Sequence, residues 1–182
     1  MTRCWMSLTV LSPAVGCGGG DTSSPTAPSS PGSVSADAAL FRRITETDPL
    51  ASYTNFPEAE EFTMGRLNGS EAHGPVIRVR LNATARAALS SGRLAPGARF
   101  PEGAIVVKEL RPSATAAPTL YAVMVKDSGN PQAGNGWLWA EYGTTGQVTY
   151  SVGSRGGACT SCHLREQGPQ NDLVRTFERQ AR

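Results

Sequence analysis

The chain has 182 residues, and its 17 basic and 15 acidic side chains leave a formal net charge of +2. That balance calls for neither nucleic acid nor an anionic membrane surface as a partner. Its length suggests one domain with accessory segments, and its 20 glycines and 13 prolines punctuate it too heavily for a helical bundle.

Residues 1–17 read as a bacterial export signal: Arg3, a moderately apolar run from Trp5 to Val15, then small residues before Cys17. The run is too short to span a membrane. Ala14-Val15-Gly16-Cys17 resembles a lipobox, which would make Cys17 the lipidated first residue of the mature protein. Pro13 interrupts the run, and Ala14 stands where such motifs favour Leu. A cleaved, soluble periplasmic protein is the alternative. Residues 18–35, rich in Gly, Ser, Thr and Pro without an apolar period, read as a disordered tether. The folded domain is expected over residues 36–182, about 150 residues and enough to bury a real core.

Leu40, Phe41 and Ile44 fall at helical spacing, and that helix should stop before Pro49. Residues 49–75 carry Pro, Asn and Gly signals and read mostly as loop. Val76 to Leu81 alternates as a half-buried strand does, with Ile77, Val79 and Leu81 on one face and Arg78 and Arg80 on the other. Asn82 should cap a short Ala-rich helix running through Leu89 and ended by Gly92. Further strands are expected over 104–110, 120–126, 137–142 and 147–152, separated by Gly, Pro and Asn turns. Pro169 can open a last helix with Leu173, Val174 and Phe177 as its buried stripe. The predicted fold is α+β: an antiparallel sheet of about five strands, with a few packed helices.

Near the end stands Cys159-Thr160-Ser161-Cys162-His163, a C-x-x-C-H pattern. Two thiols three residues apart can add to the two vinyl groups of one porphyrin edge, and the adjoining histidine can ligate the iron, as in c-type haem attachment. Two rivals share part of the pattern. A redox dithiol usually follows a strand in a βαβ unit, whereas glycines 153, 156 and 157 precede this motif. A zinc site would need His73, the other histidine, and would use the adjacent Cys162 and His163 on one ion, against normal ligand spacing. Cys4 and Cys17 lie in the export signal, so no pair is left for a structural disulfide. A c-type haem in turn implies export, because its attachment takes place on the oxidising side of the membrane.

Several blocks in a fixed order make residues 36–180 resemble the cytochrome P-460 family, which includes the beta-type cytochromes c-prime. These are His73-Gly74-Pro75 before a strand, Phe100 to Glu109, Met124-Val125-Lys126, Gly136-Trp137-Leu138-Trp139 and the C-terminal C-x-x-C-H. The resemblance implies a sheet-based protein that binds one covalent haem c near its C-terminus, with Cys159 and Cys162 as tethers and His163 as proximal ligand. It also implies a vacant distal position on iron. No Met or His follows His163, although Met64, Met124 or His73 could supply a sixth ligand from upstream.

Lys108 matches the family lysine that bonds to the porphyrin ring in cytochromes P-460 proper, and alternation puts it on the apolar face with Ala104, Val106 and Leu110. A snorkelling strand lysine is the plainer reading. Arg78 is a candidate for a haem propionate or the distal pocket, and Glu109 and Glu141 are candidate distal carboxylates. Phe100, Trp137 and Trp139 could wall a flat cofactor. Hydroxylamine-oxidising relatives use a carboxylate shortly before the haem motif. Residues 153–158 hold none here, and Arg155 sits there instead. The expected function is an exported monohaem cytochrome, in the periplasm or cell envelope, that acts on or binds hydroxylamine or nitric oxide and passes electrons to a periplasmic protein. A non-enzymatic nitric oxide binder and a plain electron carrier are the alternatives, and the sequence leaves a homodimer open.

Overall fold

The alternation read between residues 76 and 152 builds an antiparallel sheet. The computed structural model describes residues 34–56, 63–64, 73–165 and 172–176. The segment read as an export signal, with Cys17, and nearly all of the segment read as a tether lie outside them. Two short strands, β1 (Thr54–Asn55) and β2 (Thr63–Met64), precede β3 (Val76–Leu81), β4 (Ile105–Arg111), β5 (Leu120–Lys126), β6 (Trp137–Gly143) and β7 (Val148–Tyr150). Among the described residues they form one seven-stranded sheet, ordered β1-β3-β4-β5-β6-β7 with β2 also on β3. The five predicted strands are present. β1 and β2 are additions within the stretch read as loop, because two-residue strands carry no alternation to detect. The fold is α+β, as expected.

Successive strand side chains point to opposite faces, so pairing register decides what meets what. Val79, Lys108, Ala122, Glu141 and Tyr150 stand in one cross-strand row. Their face carries one core, with Val106, Met124, Trp137 and Trp139 packed against Phe56, Phe100 and Val174. Ile105, Val107, Val123 and Tyr142 project the other way into a second core.

Helix α1 (Ala36–Arg42) covers that second core with buried Leu40, and Ile44 follows in a π turn, Arg43–Thr47, that ends before Pro49. Ser35 caps α1 by accepting from the Ala38 N–H at 3.1 Å. The Asp37 carboxylate then accepts from Ser151 Oγ (2.8 Å) and the Val152 N–H (2.7 Å), which ties the helix to the far end of the sheet.

Helix α2 (Ala83–Ala87) sits on the first face. Asn82 caps it as expected, accepting from the Ala85 N–H at 2.9 Å, and also accepts from Ile105 N–H at 2.9 Å, so one side chain stitches helix to sheet. The helix ends short of Leu89 because its last turn tightens to i→i−3 bonds, from Ala88 to Ala85 and from Leu89 to Arg86.

The C-x-x-C-H segment forms helix α3 (Gly157–His163). The helix predicted after Pro169 is corrected within the described part: Asp172 and Leu173 have φ of +52° and +71°, left-handed values that no α-helix accommodates. Val174 is buried and Leu173 partly so, hence the apolar stripe was real and its helical reading was not. Pro169 and Phe177 lie outside the described residues.

Candidate haem site

Helix α3 reaches the sheet through a tight entry. Arg155 and Gly156 are both left-handed, at φ +51° and +69°. A Cβ on Gly156 would lie 2.3 Å from the Trp139 ring, so the glycine is required by both its φ and its neighbour. Trp139 is held in turn by its indole N–H, which donates to the Gly134 carbonyl at 2.9 Å. Tyr150 steadies the helix by accepting from the Ala158 N–H at 3.3 Å. The result seats the motif over β6.

Between α3 and the sheet lies a partly open cleft, lined by Lys108, Glu141, Met124, Trp139, His73, Cys159 and His163 among others. Cys159 and Cys162 are three apart on α3, unpaired with each other and half-buried. Burial chiefly, and then the nearby Glu141 charge, push the Cys159 thiol up to about 11. A redox dithiol needs the opposite shift. Nor do the described residues hold a group of three or more His, Cys, Asp or Glu arranged to bind a metal ion, as a zinc site would require.

His163 is 5% exposed, with its ring 4.8 Å from Trp139. Its Nδ1 lies 2.6 Å from the Leu173 carbonyl, which can only accept, so Nδ1 carries a proton. That arrangement suits a metal-ligating imidazole. Two neighbouring thiols, a buried imidazole oriented through Nδ1 and a cleft walled by an indole and aliphatic side chains together fit a c-type haem.

A sequence profile described as Cytochrome P460 matches residues 60–176, from before β3 through the Leu173 turn. The chain belongs to the cytochrome P460 family. It is therefore a c-type haem protein, binding haem c covalently. No curated protein sequence matches it.

Not every candidate residue of this cytochrome reaches the cleft. Lys108, Cys159 and His163 line it. Lys108 is 8% exposed, so it is a buried lysine and not a snorkelling one. Arg78 and Glu109 do not: strict alternation next to Ile77 and Lys108 turns both to the opposite face, directly across from each other in register. There Glu109 is paired with Arg80 (3.3 Å) and Arg111 (3.4 Å). Arg155 is exposed and contributes its backbone, whose carbonyl packs against Gly134. Phe100 and Trp137 stack edge-on, with ring centroids 5.7 Å apart, in the core beyond Trp139.

Glu141, by contrast, is in the cleft. Burial raises its carboxyl above the usual range, and the Lys108 charge pulls it partly back. His73 is there too, its ring 6.1 Å from that of His163 and nearly perpendicular to it. Sequence reasoning missed a buried pair behind the proximal histidine. Lys126 Nζ reaches the Asp172 carboxylate at 2.8 and 3.0 Å, with both side chains 3% exposed. A signal did exist, since Lys126 follows Met124 on the same apolar face that made Lys108 conspicuous.

Proposed function

We propose that this protein is an exported, monohaem c-type cytochrome that leaves one iron position open for hydroxylamine or nitric oxide. Cys159 and Cys162 tether the haem, His163 ligates its iron through Nε2, and Cys17 carries a lipid that keeps the protein at the cell envelope. When bound, the haem supplies an iron centre that can hold a small nitrogen ligand and exchange single electrons. An exported electron-transfer protein is the partner for those electrons.

The observation that carries this reading is the orientation of His163. A buried imidazole whose Nδ1–H is held by a carbonyl is oriented as metal-ligating histidines are. The charged residues of the cleft support a ligand that exchanges protons. Lys108 and Glu141 face the same space from two strands, one able to donate to a polarised nitrogen or oxygen and the other able to hold a proton. Residues 153–158 lack the acid that hydroxylamine-oxidising relatives use, which favours binding and reduction of nitric oxide over oxidation of hydroxylamine.

His73 favours a second reading. Its ring stands 6.1 Å from His163 in the same cleft, and as a sixth ligand it would make the protein an electron carrier. One experiment separates the two: optical spectra of the purified ferrous protein with and without nitric oxide. An open site gives a high-spin ferrous spectrum that converts to a nitrosyl adduct. A low-spin spectrum in both oxidation states, unchanged by nitric oxide, overturns the open site in favour of His73.

A further inference from the structure

We propose that the Lys126–Asp172 ion pair is a positioning device for the proximal histidine: it holds the Leu173 carbonyl on His163 Nδ1 and so sets how strongly the imidazole donates to iron. The inference rests on His163 being the iron ligand.

The pair lies at the end of a short mechanical chain. Lys126 ends β5, and its ammonium grips both oxygens of Asp172 at 2.8 and 3.0 Å while standing 5.0 Å from the Trp137 ring centroid. Asp172 also accepts from the Phe100 N–H at 2.9 Å. The exposed Arg99 guanidinium, 3.9 Å away, adds little. Three hydrogen bonds from two segments therefore fix one carboxylate in place. The next residue, Leu173, sits at φ +71° directly after Asp172 at +52°. A side chain with a Cβ resists that region, and such strain persists only where its surroundings over-determine it.

The bend has one evident consequence. It aims the Leu173 carbonyl back at α3, where it accepts from His163 Nδ1 at 2.6 Å and from the Arg175 N–H at 3.1 Å. The Arg175 guanidinium closes the loop by donating to the Cys162 carbonyl at 3.0 Å. An α-helix through the same residues would direct that carbonyl along its own axis. The charge pair is not needed for stability as such, because apolar replacements of buried ion pairs are often as stable or more so. What a two-oxygen grip adds is direction. A firm Nδ1–H···O bond raises the basicity of a ligating imidazole, which stabilises ferric iron relative to ferrous.

The test uses holoprotein carrying Lys126→Met, Lys126→Arg or Asp172→Asn, read by reduction potential and by the iron–histidine vibration of the ferrous form. Lys126→Met is expected to raise the potential and lower that vibration, with Lys126→Arg close to the unmodified protein. Lys126→Met holoprotein that melts earlier but keeps both values would overturn the proposal, since a merely structural pair behaves that way. Should Lys126→Met fail to mature, the isosteric Asp172→Asn decides by the same two readouts: a shift in the same direction supports the device, and unchanged values sink it. A His163→Gly holoprotein with an unaltered haem spectrum overturns the ligand assignment itself, a failure distinct from that of the pair.

Discussion

Two carboxylates on opposite faces of one sheet, Glu109 and Glu141, show how this fold separates structure from chemistry. Glu109 is 6% exposed and held between Arg80 and Arg111, with Arg78 across from it in register. Glu141 is half-buried, faces the cleft, and has Lys108 as its chief compensating charge. The first is matched so closely by cations that it can only hold strands together. The second is desolvated enough to favour its proton yet stays open to a ligand. Burial alone does not mark a functional acid. What marks one is burial with incomplete charge compensation, beside a space.

The cleft face stands or falls with the motif, which gives the largest expected effect. Replacing Cys159 and Cys162 together with Ser should abolish covalent haem, seen as complete loss of haem stain in denaturing gels. Glu109→Gln leaves that stain untouched. If the double serine variant still carries covalent haem, the attachment residues lie elsewhere.

Next come the glycines that dock α3. Gly156→Ala puts a Cβ 2.3 Å from the Trp139 ring at a left-handed φ, and strain plus overpacking should cost about 3 kcal/mol. Gly157→Ala, one residue on, meets nothing within 4 Å and has no positive φ. It should be neutral or stabilise by up to about 1 kcal/mol. Thermal melts of both holoproteins measure the contrast, and equal losses would refute the close approach to Trp139.

On the other face, Glu109→Gln leaves Arg80 and Arg111 facing a neutral amide in a partly buried setting. A loss of about 2 kcal/mol is expected, with the haem spectrum and ligand binding unchanged. A shifted spectrum would mean that the two faces communicate.

The sheet was legible because strand signals are local: Val76 to Leu81 alternates and announces both its conformation and its inward face, and Leu120 to Lys126 announces its conformation as an apolar run between turns. The motif was legible for the same reason, with all its chemistry within five residues. The Lys126–Asp172 pair was not. Its partners are 46 residues apart, and the bend they stabilise hides behind an apolar stripe that reads as helix. Glu141 was ambiguous because strand periodicity gives its face but not the gap left above it. Arg78 and Glu109 lie away from the cleft on parity alone, since any neighbour of Lys108 along β4 must point to the opposite face.

The smallest effect expected is also the one that tests the comparison most directly. Burial raises the Glu141 carboxyl above its ordinary 4.5 in the folded protein, so the native state binds this proton more tightly than the unfolded chain does. The corresponding stability is fully present below pH 4.5 and is lost as pH rises through the higher folded value. Glu141→Gln should therefore flatten that segment of the stability–pH curve and leave neutral-pH stability unchanged or slightly improved. Lys108, Cys159 and Tyr150 face the same carboxylate. The nitric oxide affinity of the unmodified protein should change across the same pH window, and that of Glu141→Gln should not. Glu109→Gln serves as the control on the opposite face: its nitric oxide titration should keep the full pH dependence of the parent. If the pH dependence survives in Glu141→Gln and vanishes in Glu109→Gln, the assignment of structural and chemical faces is reversed.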